Sequence, residues 1–131
     1  MAAASWLSIR NNLAAQSSGP VVGWLVVVEG PGRGASLALG YGMNQIGRQS
    51  DQKISLPFGD EQISRSGHAA LTYDPVSRKF FLTHGGGRNL IYVADAPILA
   101  PTELVGGEDI LMGRTRLRFV PFCGPSFDWQ D

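Results

Sequence analysis

Three short polar clusters in the middle of the chain offer cations, a hydroxyl, a side-chain amide and several glycine N–H groups. Their reactive or ligand-binding side chains are, in chain order, Arg48, Ser64, Arg65, Arg88 and Asn89. Guanidinium groups, hydroxyls and backbone amides are the donors that bind oxyanions such as phosphate in proteins. The three clusters therefore predict a phosphate-binding site, provided that the fold brings them together.

Short apolar runs flank each cluster, and such runs are typical of β-strands. Loops at one end of a sheet protein converge on one place while the strands fix their positions. The chain has Gly 17 and Pro 8, spread along its length, and turn residues at this frequency indicate many short strands. We therefore predict an all-β sandwich of roughly ten short, mostly antiparallel strands.

Hydrophobic patterning sets the bounds of these strands. They are predicted at 21–29, 35–39, 41–48, 54–56, 69–73, 79–83, 90–93, 97–99, 109–113 and 117–122. The glycine-rich turn at 30–34 joins the first two as a hairpin, and it lacks the Gly-Lys-Ser/Thr ending of a P-loop. The large aromatic residues expected in the core are Trp24, Phe80, Phe81, Tyr92 and Phe119.

Length and charge limit the possible functions. The chain has 131 residues, which suits one main domain. Lys+Arg is 11 and Asp+Glu is 11, so the basic excess of a nucleic-acid-binding protein is missing. The longest apolar run, 24–28, is too short to cross a bilayer, and no secretory signal is evident. We therefore expect neither nucleic acid nor membrane as a partner.

The cysteine and histidine content predicts no metal site and no cofactor. Cys123 is the only cysteine, which excludes an intrachain disulfide and favours a reducing, cytoplasmic location. Cys123, His68 and His84 lack the spacing of a zinc site.

The chain divides into three parts by composition. Residues 1–19 form an N-terminal helix-like segment, in which Trp6, Ile9 and Leu13 share one helical face. Residues 20–123 form the sandwich domain, and residues 124–131 form a C-terminal tail.

The order of motifs resembles that of the forkhead-associated (FHA) family over about residues 22–122. The residues that carry the resemblance are Gly47-Arg48, Ile54, Leu56, Ile63-Ser64-Arg65, His68, Asn89, Tyr92-Val93, Pro97-Ile98, Leu104, Gly107, Asp109-Ile110 and Gly113. The resemblance implies an FHA-like sandwich of about eleven strands whose loops at one end bind phosphothreonine peptides.

The resemblance also implies the roles of the clustered residues. Arg48 would pair with the phosphate oxygens, and Ser64 would donate its hydroxyl. The backbone amides of Ser64 and Arg65 and the Arg65 side chain would add donors. Arg88 would be an extra cation near the phosphate.

Three further residues complete the implied site. Asn89 would bind the peptide backbone, while Gly47 and His68 would brace the loops. The implied partner is a phosphothreonine-containing protein, with Ser/Thr kinases and phosphatases as candidates. The oligomeric state stays open.

The sequence departs from the family pattern at two points. Ser64 and His68 are four positions apart where the family has three, and Leu90 follows Asn89 where the family has glycine. These departures keep a second hypothesis open, in which a degenerate FHA fold serves as a phospho-independent scaffold for protein–protein contacts.

An enzyme is not predicted. Ser64 or Ser66 with His68 and Asp60 offers the residue types of a hydrolase triad. However, no Gly-x-Ser-x-Gly elbow is present, and a serine four residues from its base on one loop seldom has the required geometry.

Overall fold

The computed structural model of the chain describes residues 19–131, and all regular structure in that range is β. Eleven strands follow one another, and their bounds are β1 Gly23–Glu29, β2 Ser36–Leu39, β3 Gly42–Gly47, β4 Ile54–Ser55, β5 Ala69–Asp74, β6 Lys79–His84, β7 Ile91–Val93, β8 Ala96–Pro97, β9 Thr102–Leu104, β10 Asp109–Met112 and β11 Thr115–Pro121.

The strands form two sheets, as the sequence predicts for a sandwich. The six-stranded sheet has the order β2-β1-β11-β10-β7-β8, and the five-stranded sheet has the order β4-β3-β5-β6-β9. All pairings are antiparallel except that of β3 with β4. The all-β, mostly antiparallel prediction is confirmed, and so is the hairpin of β1 and β2.

The hydrophobic pattern did not predict strand β9, and the strand predicted at 97–99 is found at Ala96–Pro97 as β8. Strand β9 is three residues long, directly follows a Pro-rich stretch, and pairs with β6 through Phe80, Phe81 and Leu82. Three residues carry too little periodicity to predict a strand from the sequence. Pairing with β6 stabilises β9 instead.

The core lies between the two sheets. Along β1, buried and half-buried positions alternate, which is the period-two pattern of a strand with one buried face. Phe80 and Phe119 meet at the centre with ring centroids 4.7 Å apart, and both are buried as expected. The prediction is wrong for Trp24, Phe81 and Tyr92, which are only half-buried because alternation places them away from the core.

The last eight residues lie against the sandwich. Asp128 is buried and accepts a 2.6 Å hydrogen bond from the Tyr73 hydroxyl. The indole N–H of Trp129 donates to the Val21 carbonyl at 2.7 Å. These contacts tie the C-terminal residues to both β5 and the chain just before β1.

The helix expected in residues 1–19 lies outside the described residues, except for Gly19. Across residues 19–131, no helix combines the length and apolar character that crossing a bilayer requires.

Candidate functional site

Strand register brings the three polar clusters to one end of the five-stranded sheet. Ile46 at the end of β3 pairs with Ala69 at the start of β5, and Ala69 pairs with His84 at the end of β6. The loops 48–53, 56–68 and 85–90 therefore leave the sheet side by side. The turn between β10 and β11 joins them, because Met112 pairs with Ile91 at the start of β7.

Arg48 and Ser64 lie next to each other at this end of the sheet. The Arg48 N–H donates to the Ser64 carbonyl at 3.0 Å, and the Arg48 Nε donates to the Ile63 carbonyl at 2.5 Å. One side of the guanidinium is therefore held against the second loop. Its Nη atoms make no hydrogen bond or ion pair with any residue in 19–131, so the outer part of the fork stays available.

Gly47 allows the first two loops to approach closely. A Cβ at this position would lie 2.5 Å from the Arg65 carbonyl oxygen and 3.0 Å from the Gln52 side chain. The Gln52 side-chain oxygen in turn accepts the Gly67 N–H at 2.9 Å. A side chain at position 47 would push these loops apart.

His68 lies at the centre of the loop cluster and is fully buried. Its Nδ1 accepts the Ser64 N–H at 2.9 Å, and its Nε2 lies 3.0 Å from the Asn89 carbonyl oxygen. Because a carbonyl only accepts, the proton must be on Nε2. The two ring nitrogens therefore bind main-chain groups of two different loops.

Burial lowers the pKa of His68 from its ordinary value of 6.5, and the nearby His84 lowers it further. The hydrogen bond to Asn89 and the charge of Asp60 act in the opposite direction. The neutral ring is the form that can accept from Ser64.

The expectation that the Ser64 N–H serves a phosphate does not hold in this structure, because that amide already donates to His68. The Ser64 hydroxyl makes no hydrogen bond within residues 19–131, although the side chain is half-buried. The hydroxyl is therefore the hydrogen-bond donor of Ser64 that remains available to a ligand.

Asn89 is fixed to the second loop by its side chain. Its Nδ2 donates to the Gln62 carbonyl at 2.9 Å, while Oδ1 has no partner among residues 19–131. The next residue, Leu90, does not adopt positive φ; the described non-glycine residues that do are Arg78, Ala94 and Asp95. Leucine at this position therefore carries no left-handed backbone strain.

Arg65 and Arg88 are exposed cations on the second and third loops. Neither side chain forms a hydrogen bond or an ion pair with the part of the chain that the structure describes. The predicted cations are thus free, and the loops that carry them converge.

Asp60 is a structural residue of the site that the sequence did not reveal. This buried carboxylate accepts the Arg114 N–H and the Thr115 hydroxyl, both at 2.7 Å, and the Gln62 N–H at 3.1 Å. It therefore ties the second loop to the turn between β10 and β11. An aspartate in a polar loop gives no sequence pattern that marks it as buried.

A cleft of about 190 Å³ opens beside Asn89. The residues that line it are Gln62, Asn89, Leu90, Tyr92, Leu111 and Gly113. Its walls combine aliphatic side chains with amide and hydroxyl groups, which suits one side chain of a bound peptide.

The residue types of a triad are present but are not arranged as one. His68 uses both nitrogens on backbone groups, and the Asp60 oxygens are bonded to Gln62, Arg114 and Thr115. No His, Cys, Asp and Glu side chains in residues 19–131 are grouped so that they could hold a metal ion.

The sequence model of the FHA domain matches residues 44–113, which is more than half of the chain and includes all three loops. Together with the sandwich and the loop cluster, this match shows that the chain belongs to the FHA family. FHA domains are interaction modules. No curated protein matches the sequence.

Solved FHA domains superpose on most of the chain. One from work on phosphothreonine-dependent FHA interactions is 26% identical with a TM-score of 0.66, covering 77% of this chain and 97% of its own. The FhaA FHA domain, complexed with the intracellular domain of Rv3910, is 27% identical with a TM-score of 0.64. The superposition covers 74% of this chain and 98% of the FhaA domain. The FHA domain of CT664 from Chlamydia trachomatis is 21% identical and shares the fold, with a TM-score of 0.67. The superposition covers 77% of this chain and 98% of the CT664 domain.

Proposed function

We propose that this FHA domain binds phosphothreonine in a partner protein at the loop cluster that contains Arg48, Ser64 and Asn89. The observation that carries the proposal is the pairing of Arg48 with the Ile63–Ser64 segment, which leaves the Nη atoms of Arg48 and the hydroxyl of Ser64 without a hydrogen bond within residues 19–131. The similarity to a domain studied for phosphothreonine-dependent interactions supports it.

The charge of the ligand explains the choice of residues. A phosphothreonine carries about −1.5 to −2 charge at pH 7, and a guanidinium fork contacts two of its oxygens at once. Arg48 and the Ser64 hydroxyl would hold the phosphate, with Arg65 and Arg88 as further cations. Each charge-assisted hydrogen bond contributes roughly 1.5–3 kcal/mol, and peptide ordering offsets part of the sum.

The peptide next to the phosphothreonine would lie along Asn89. The Oδ1 atom and the second Nδ2 hydrogen of Asn89 are available to a peptide backbone, since one Nδ2 hydrogen is used on Gln62. Gly47 and His68 would act indirectly, by holding the loops in register. Neither would touch the phosphate.

The proposal places the domain in kinase–phosphatase signalling in the cytoplasm, with a phosphorylated kinase, phosphatase or substrate as the partner. We propose no catalytic activity, because the ring nitrogens of His68 are bonded to Ser64 and Asn89 backbone rather than poised as a base.

A phospho-independent scaffold is the second candidate. The use of the Ser64 N–H by His68 removes one phosphate donor. In addition, Phe122 and Trp129 are 47% and 48% exposed on an aromatic cluster at the C-terminus. Exposed aromatic groups of this kind are frequent in protein contacts.

Binding of a phosphothreonine peptide library by wild-type protein and two arginine variants tests the proposal. Arg48→Ala should weaken binding by about 10- to 100-fold, the equivalent of one charge-assisted contact. Arg118→Ala is the matched control, because Arg118 pairs with Asp109 away from the loops, and it should bind as wild type. Unphosphorylated peptides should not bind. If Arg48→Ala binds as tightly as wild type, the scaffold hypothesis replaces this one.

A further inference from the structure

A second histidine approaches the same carbonyl group that His68 holds. The Nε2 of His84 lies 3.1 Å from the Asn89 carbonyl oxygen, and the Nε2 of His68 lies 3.0 Å from it. The two rings stand nearly perpendicular, at 81°, with centroids 6.0 Å apart. A carbonyl oxygen has two lone pairs and can accept from both donors.

One ring reaches this carbonyl from the end of β6, and the other reaches it from the residue just before β5. His84 is the last residue of β6, and its register partner Ala69 follows His68 directly. The loop that they hold begins with Gly85, Gly86 and Gly87. Glycine gives a backbone the largest conformational freedom, so the loop needs an anchor at its far end if Asn89 is to keep one orientation.

The side chain of His84 differs from that of His68 in making one hydrogen bond instead of two. His68 is buried and also holds Ser64, so its loss would disturb two loops. His84 is half-buried, and the only hydrogen bond that its side chain makes within residues 19–131 goes to Asn89. Its removal would loosen one residue, and that residue also carries the side chain facing the peptide.

We propose that His84 is a positioning residue for peptide binding. Its Nε2–H fixes the Asn89 main chain, and with the Asn89–Gln62 hydrogen bond it presents the free Oδ1 to a bound peptide. The inference rests on the proposed phosphothreonine binding, because it assigns Asn89 a role in that site.

Two variants separate the hydrogen bond from the packing of the ring. His84→Phe keeps an aromatic ring but has no donor. His84→Gln has an amide N–H that reaches about as far from the backbone as Nε2. Loss of one neutral hydrogen bond should weaken phosphothreonine-peptide binding by about two- to tenfold in His84→Phe. His84→Gln should bind close to wild type, and both variants should melt near the wild-type temperature.

Isothermal titration with the best phosphothreonine peptide, together with the ¹³C shift of the Asn89 carbonyl in peptide-free protein, forms the test. We expect a changed shift and weaker binding in His84→Phe, with both restored in His84→Gln. Wild-type affinity and an unchanged shift in His84→Phe would overturn the role of His84. So would a His84→Gln variant that behaves as His84→Phe does. Failure of wild-type protein to bind any phosphothreonine peptide would instead overturn the proposed function, and the role of His84 in binding with it.

Discussion

The buried imidazole of His68 joins Ser64 to Asn89, two residues from loops that are far apart in the chain. Its Nδ1 accepts the Ser64 N–H at 2.9 Å, and its Nε2 donates to the Asn89 carbonyl at 3.0 Å. The neutral ring thus links loop 56–68 to loop 85–90, in addition to the hydrogen bond from Asn89 Nδ2 to the Gln62 carbonyl. Three of the predictions below follow from this ring and the loops it joins.

Gly87 is the position where a single methyl group should displace that ring. A Cβ at Gly87 would lie 2.7 Å from Cδ2 of His68, whereas a Cβ at Gly86 would meet nothing within 4 Å. Gly87→Ala should therefore lower the free energy of unfolding by about 1–3 kcal/mol, the usual cost of overpacking, and should weaken phosphothreonine binding. Urea denaturation and peptide titration measure both effects.

Gly86→Ala is the control for Gly87→Ala, because it adds the same methyl group one residue away in open space. We expect it to unfold and bind as wild type does. A Gly86→Ala variant as damaged as Gly87→Ala would show that any loss of glycine disturbs this loop, and that contact with His68 is not the reason.

The lowered pKa of His68 predicts how stability depends on pH. In the unfolded chain the ring has its ordinary pKa of 6.5, and in the folded protein burial lowers that pKa. At pH values between these two pKa values, the unfolded state binds more protons than the folded state. The stabilisation that comes from the neutral His68 ring is therefore complete well above pH 6.5 and is lost as the pH falls from 6.5 towards the lowered pKa of the folded protein. Protonation would also abolish the Nδ1 acceptor for Ser64.

Denaturation of wild type and His68→Gln at about pH 7.5 and 5.5 tests this dependence, across the imidazole range. We expect wild type to lose more stability than the variant on acidification, since the variant lacks the titrating ring and both retain His84. Equal losses in the two proteins would contradict the prediction.

Asp60 should contribute strongly to stability because it satisfies donors in two loops at once. Replacement by alanine leaves the Thr115 hydroxyl and the Arg114 N–H without the acceptor that lies 2.7 Å from each. Asp60→Ala should lower the free energy of unfolding by about 2–4 kcal/mol. Glu61→Ala, at the exposed next position, should change it by less than about 0.5 kcal/mol. Similar values for the two variants would show that the Asp60 contacts contribute little.

The cleft beside Asn89 should give the domain a preference, near the phosphothreonine, for a side chain that combines a short aliphatic part with a polar end. The exposed lining of the cleft is mostly polar, and Leu90 and Leu111 contribute its smaller apolar part. A fitted pocket discriminates between side chains by about 1–3 kcal/mol. Leu90→Ala should reduce this preference on a peptide array. Leu99→Ala is the control, because Leu99 is 83% exposed outside the cleft. An unchanged preference in Leu90→Ala would show that flanking residues bind elsewhere.

Short apolar runs bounded by turn residues were sufficient to predict most of the strands. Residues 24–28 in β1 and 80–82 in β6 are continuous apolar runs, which indicate a strand but do not show which of its faces is buried. The same reasoning failed for β9, whose three residues take their conformation from pairing with β6. It also overestimated the burial of Trp24, Phe81 and Tyr92, since aromatic character alone does not tell which face of a strand a residue occupies.

The ordered polar motifs by themselves determined the FHA family and pointed to Arg48, Ser64 and Asn89 as the groups worth testing. Only the tertiary structure decided which of their atoms are free: His68 takes the Ser64 amide, and His84 and Gln62 take atoms of Asn89. The reason is that residue type and spacing fix what a side chain can bond to. The choice among possible partners depends on where separate loops meet in space.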